Sequence, residues 1–111
     1  MLEERGFFVV RASGSGSDGV SPDLIALNST GHFAVECKAW NGDAVYIEKP
    51  KFSIMTEWEK RTAIPVFVAW KSPRKEWRFF PLLALKETGR AFALGKSDLE
   101  SGMRLGDVLE K

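Results

Sequence analysis

The sequence predicts an α/β domain, a mixed central β-sheet flanked by helices, spanning residues 1–111 as one unit. Three observations lead there. The first forty residues carry three short β-rich runs separated by turn residues, the pattern of a meander. An apolar stripe at helical spacing follows Pro50. After it, Ile64-Pro65-Val66-Phe67-Val68-Ala69-Trp70 is almost continuously apolar, as expected of a strand buried on both faces.

Gly6 suits the end of a helix, and Phe7-Phe8-Val9-Val10 reads as the first strand. Ser13 to Gly19 is a Gly/Ser-rich loop, the most flexible composition in the chain. Asp23 to Leu27 and His32 to Trp40 read as strands joined by the turn residues Asn28-Ser29-Thr30-Gly31. Asn41-Gly42-Asp43 ends the third strand, and Val45-Tyr46-Ile47 is a short extended piece. Pro50 fits the first position of a helix, in which Phe52, Met55 and Trp58 form a stripe running to about Arg61. Ser72 to Glu76 is a turn, and Trp77 to Leu82 the returning strand. Beyond that the pattern weakens. Ser97-Asp98-Leu99-Glu100 has the form of a capping box, and Leu105 to Leu109 fits a short final helix.

Composition narrows the function. Hydrophobic residues make up 44% and charged residues 28% of the 111, enough apolar surface to fill a core without staples. Cys37 is the single cysteine, which excludes an internal disulfide and a multi-cysteine zinc site. No apolar run reaches membrane-spanning length, and Met1 to Arg5 lack the form of a secretory signal. A cytoplasmic protein with no membrane association is expected. The net charge of +1 does not by itself mark a nucleic-acid binder.

One constellation carries a mechanism. Alternation along the third strand sets Glu36 and Lys38 on one face and Cys37 on the other. Pairing through the Asn28–Gly31 turn brings Asp23 toward the same face. Carboxylate oxygens are the hard ligands that Mg²⁺ prefers, and such an ion activates water and neutralises a phosphate. A lysine beside it can orient the attacking water. The plain alternative is a solvated strand face, because acid–x–lysine spacings are common. Against that, both acids interrupt apolar strands, Asp23-Leu24-Ile25-Ala26 and Phe33-Ala34-Val35-Glu36.

Other candidates are weaker. Cys37 reads as a core side chain, and the lone His32 as a surface residue. The Gly/Ser loop lacks the Lys-Ser/Thr ending of a nucleotide-binding loop. Lys71, Arg74, Lys75 and Arg78 read as a charged hairpin end, or alternatively as phosphate contacts. The Phe52-Met55-Trp58 stripe reads as core or dimer interface.

Pro22-Asp23 followed by Glu36-Cys37-Lys38 resembles the signature of the PD-(D/E)xK nuclease superfamily, and the surrounding residues resemble its archaeal Holliday junction resolvases. The likeness runs in order through Gly6-Phe7, Val9-Val10-Arg11, the Gly/Ser loop at 13–17, Pro22 to Ala26, Val35 to Lys38, Tyr46-Ile47, Pro65-Val66 and Trp77-Arg78-Phe79. It implies a restriction-endonuclease-like fold and a homodimer that nicks four-way junction DNA. Asp23 and Glu36 would hold Mg²⁺, with Mn²⁺ as a substitute, aided by the backbone carbonyl of Cys37. Lys38 would be the catalytic lysine, with Ser15 of the loop also in the active site. Arg11 and Ser15 would lie against the DNA, and Lys49 and Lys51 at the helix start are further candidate DNA contacts.

Two other readings stay open at this point. One is a DNA-binding module that keeps the fold with weak or no cleavage, and the other a restriction- or repair-type nuclease. The resemblance also implies a catalytic glutamate in a first helix, about three turns before Gly6. Only Met1 to Arg5 precede Gly6, so that helix is expected to be truncated. Glu3 and Glu4, on the order of 10 Å away, are poor substitutes. Such a truncation is expected to expose part of Phe7 and Phe8.

Overall fold

The computed structural model describes residues 6–11, 24–27, 31–39, 42–72 and 75–109, with Arg11 and Ala39 described in backbone only. Five strands form the main sheet: β1 (Phe8–Arg11), β2 (Leu24–Leu27), β3 (His32–Ala39), β5 (Val66–Lys71) and β6 (Arg78–Pro81), in that spatial order. β1, β2 and β3 pair antiparallel as the predicted meander. β3 and β5 pair in parallel, Glu36 opposite Val68 and Lys38 opposite Trp70. A parallel pair needs a long crossover, and β4 (Ala44–Glu48) with helix α1 (Lys49–Thr62) supply it.

The sheet is therefore mixed, as expected. It is not alone, however. β4 leaves it to pair antiparallel with β8 (Ala91–Gly95), and β8 pairs with the two-residue β7 (Lys86–Glu87), making a second, three-stranded sheet. The sequence pattern reads β4 as an isolated extended piece and passes over β7 and β8. Ala-Phe-Ala-Leu-Gly is a poor strand former by composition, and this segment owes its form to its partners. The capping expectation also shifts by two residues. Gly95 rather than Ser97 precedes the 3₁₀ helix Lys96–Ser101, and its N–H donates to Asp98 Oδ2 at 2.8 Å.

Strand alternation divides the interior into two cores. On one face Ala34, Val66, Val68, Trp70 and Phe80 pack with Met55 of α1 and with Val45, Ile47 and Leu94 of the small sheet. On the other, Leu24, Ala26, Phe33, Val35, Phe67, Ala69 and Phe79 pack with Val108 of α2 (Leu105–Leu109), and half-buried Cys37 joins them. β5 is buried along Val66 to Trp70 because both cores meet on it. The predicted stripe on α1 is core: Met55 is buried, Trp58 packs beside it, and Phe52 stacks on Phe92 with ring centroids 3.7 Å apart.

Two conformational details set the ends of elements. Gly6 has φ 84°, the left-handed conformation a helix end favours, which glycine adopts freely; residues 1–5 lie outside the described set. α1 stops at Ala63, also left-handed at φ 59°, whose N–H donates to the Glu59 carbonyl at 2.9 Å. The Glu59 carboxylate then accepts from the Val66 N–H at 2.7 Å, tying the helix end to the start of β5. Phe7 and Phe8 part company at the sheet edge. Phe7 packs edge-on against Phe33 at 5.6 Å, while Phe8, on the opposite face, is 77% exposed.

Candidate active site

Glu36 sits mid-strand in β3 between Val35 and Cys37 and opposite Val68 of β5, and is only 5% exposed. An ionised carboxylate in such a place requires compensation. Two ammonium groups supply part of it. Lys38 Nζ, two residues along the same face, lies 4.0 Å from Glu36 Oε2, and Lys51 Nζ lies 3.7 Å from the same oxygen. The Lys38 side chain is 37% exposed and that of Lys51 25%, so both reach from the buried carboxylate toward solvent.

Lys51 arrives from the first turn of α1, and that turn breaks the usual rule for helix starts. Helix N-termini favour acidic residues and side-chain caps. Here the N-cap Glu48 makes no capping bond, the first turn holds no acid, and Lys49, Pro50 and Lys51 open the helix. Each ammonium there costs about 0.3–1 kcal/mol against the helix dipole. Local violations of this kind concentrate at functional sites. The missing acid is the one sequence signal that ties Lys51 to a carboxylate elsewhere.

The other expected site residues are distributed as follows. Lys49 pairs with Glu87 of β7 at 2.7 Å, away from Glu36's oxygen. The Arg11 backbone pairs with Leu24, and Leu24 pairs with Val35, so one rung of the sheet joins Arg11 to the residue before Glu36. Asp23 and Ser15 lie outside the described residues. Among the described residues no group of three or more His, Cys, Asp or Glu is placed to share an ion. What they do offer, a buried carboxylate and strand carbonyls, is a hard oxygen set. It suits a cation such as Mg²⁺, which takes few protein ligands and keeps several waters. His32 is exposed at the start of β3. Of the hairpin charges, Arg74 lies outside the described residues; Lys75 and Arg78 pair with Glu100, each at 3.2 Å, and Lys71 donates to the Lys75 carbonyl at 2.9 Å.

The family model for archaeal Holliday junction resolvase (Hjc) matches residues 1–111, the whole chain. The chain belongs to the archaeal Holliday junction resolvase family. Among individual relatives, the crossover junction endodeoxyribonuclease Hjc of Sulfurisphaera tokodaii is 38% identical over 113 residues, covering 97% of this chain and 77% of that protein. The Archaeoglobus fulgidus protein of the same name is 31% identical over 111 residues, covering 99% and 82%. The solved structure of A. fulgidus Hjc, a Holliday junction resolvase, superposes with a TM-score of 0.87 at 27% identity over 99% of this chain and 87% of that one. The mixed sheet flanked by helices is thus a nuclease fold of this family, whose members are endodeoxyribonucleases and generally metal-dependent. No helix among the described residues is long and apolar enough to cross a membrane.

Proposed function

We propose that this chain nicks four-way DNA junctions by metal-assisted phosphodiester hydrolysis, as a cytoplasmic homodimer, through Asp23, Glu36 and Lys38. The observation that carries the reading is the buried Glu36 carboxylate held between two ammonium groups, just after the buried apolar run Phe33 to Val35. Asp23 and Glu36 are assigned as ligands, with the Cys37 carbonyl beside them. In support, Asp23 precedes Leu24, Glu36 follows Val35, and Leu24 pairs with Val35 in an antiparallel ladder. A divalent ion bound there, Mg²⁺ or Mn²⁺ in its place, supplies an activated water and neutralises charge on the phosphate.

The chain's own residues do the rest. The apolar walls around Glu36 keep its carboxylate in fixed register, and Lys38, partly exposed beside it, orients the attacking water and stabilises the charge that develops on the phosphate. Arg11 and Ser15 are assigned to the scissile phosphate, and Lys49 with Lys51 to the backbone of the bound arm. Recognition then follows junction shape and backbone charge, since no element among the described residues carries a base-reading motif. A two-fold dimer presents two such sites to a pseudo-two-fold junction.

The test is a synthetic four-way junction and a linear duplex of the same sequence, each with Mg²⁺. Paired nicks in opposed strands of the junction, with the duplex largely intact, are expected. Equal cutting of both substrates refutes junction selectivity, and no cutting in Mg²⁺ or Mn²⁺ refutes catalysis by this chain.

A further inference from the structure

We infer that Lys51 is a positioning residue whose ammonium stands in for the divalent cation at Glu36 in the DNA-free protein, so that DNA binding and metal uptake are coupled through it. The inference rests on the reading of Glu36 as a metal ligand. Its starting point is a shared atom. Lys51 and Lys38 approach the same oxygen, Glu36 Oε2, and Lys51 is the nearer at 3.7 Å against 4.0 Å. The two lysines are mounted differently. Lys38 belongs to the same strand as Glu36, whereas Lys51 is delivered by α1, in a turn where an ammonium opposes the helix dipole. Among the described residues, the carboxylate it faces is the partner that offsets that placement.

A cation held on the Glu36 carboxylate and the Lys51 ammonium would both lie within a few ångströms of one oxygen. Like charges at that separation in a partly buried site repel strongly. Either the cation binds weakly or the ammonium leaves. Lys51 can leave, because its side chain is already 25% exposed and carries its charge on a flexible four-carbon stem. A DNA phosphate gives the displaced ammonium a new partner. Binding of DNA thereby clears Oε2 for the metal, and by linkage the metal frees Lys51 for DNA. In the absence of DNA the ammonium keeps the buried carboxylate compensated.

The experiment is calorimetric titration of Mn²⁺ into the DNA-free chain of residues 1–111, comparing the parent with Lys51→Met, Lys51→Arg and Glu36→Gln, each checked for folding by circular dichroism. Lys51→Met is expected to tighten Mn²⁺ binding about tenfold, the scale of one removed like charge in a partly solvated site. Lys51→Arg is expected to stay near the parent. In metal-free junction binding, Lys51→Met is expected to lower the slope of log K against log salt by about 0.9, one phosphate contact. Lys51→Gln replaces Lys51→Met if the latter does not fold. An unchanged Mn²⁺ affinity in the neutral variant, with Glu36→Gln abolishing binding, overturns the role of Lys51 and leaves Glu36 as a ligand. An unchanged salt slope overturns the coupling. Equal Mn²⁺ binding by the parent and Glu36→Gln instead overturns the metal-ligand reading itself.

Discussion

Gly102 is buried where the chain leaves the 3₁₀ helix Lys96–Ser101 and bridges to β6 through Met103 and Phe79. Its backbone, φ −68° and ψ 152°, is one that any residue adopts, so Gly102→Ala tests packing alone. The added methyl would lie 2.5 Å from Phe80 Cζ and 2.9 Å from both Phe80 Cε1 and Arg78 Cβ. Ordinary carbon contacts are about 3.5–4.0 Å, so the Phe80 ring must retreat by about 1 Å. It has little room, being 3% exposed within the core that includes Trp70 and Val68. Overpacking of this kind costs about 1–3 kcal/mol, offset by about 0.4–1 kcal/mol from the lower entropy of the unfolded alanine chain. The net loss is about 1–2 kcal/mol, a fall in melting temperature of about 4–8 °C for a chain of this size. Thermal and urea unfolding followed by circular dichroism measure it. Junction nicking well below the transition is expected to match the parent, because Val68 stands between Phe80 and Glu36 in the ladder. A melting temperature equal to or above the parent's would refute the reasoning.

Glu36→Gln, and likewise Asp23→Asn, is expected to cut single-turnover junction cleavage by at least about a thousandfold while preserving or tightening binding, since a carboxylate that repels phosphate is removed; parental rates in either variant would dismiss the assignment. Lys38→Ala is expected to lower the rate at saturating junction by about 10²–10³ with little change in affinity, and the reverse pattern would make Lys38 a binding residue. Ala63→Gly relieves a left-handed alanine and is expected to raise stability by about 0.5–1 kcal/mol, measurable as a higher urea midpoint. The hydrogen bond and charge of Lys75, with Arg78 adding to them, hold the Glu100 carboxyl below its ordinary range. Its contribution is therefore present above the unfolded carboxyl pKa and lost as pH falls through the lowered one. Glu100→Gln is expected to melt below the parent at neutral pH and to converge with it as pH falls through the lowered carboxyl range; a constant gap would assign the effect to something other than charge.

The parts of the fold legible in the sequence are those whose signals are local. The meander announces itself by its turns, α1 by Pro50 and its stripe, and β5 by an apolar run that only an interior strand tolerates. The small sheet was not legible, because Ala91–Gly95 and Lys86–Glu87 have no strand signature of their own and depend on β4, some forty residues earlier. The site divides in the same way. Glu36 and Lys38 share a face by simple alternation, so their neighbourhood follows from spacing. The approach of Lys51 depends on how β4 and α1 turn back over the sheet, and spacing alone marks it only as one more basic residue.

The pairing of Glu36 with Val68 has a consequence for the order of folding. These two residues are 32 positions apart, with β4 and all of α1 between them. The meander closes shorter connections, of 12 and 4 residues. The β3–β5 rung cannot form until the crossover has been ordered, and closing it is the slow, non-local step. The carboxylate is therefore enclosed only once the crossover and β5 are in place. During synthesis, a chain lacking β5 would present Glu36 to water on a half-built sheet, without its Val68 partner. Native-state hydrogen exchange should accordingly find the amides of β3 and β5 opening only with global unfolding, and those of β1 by smaller excursions.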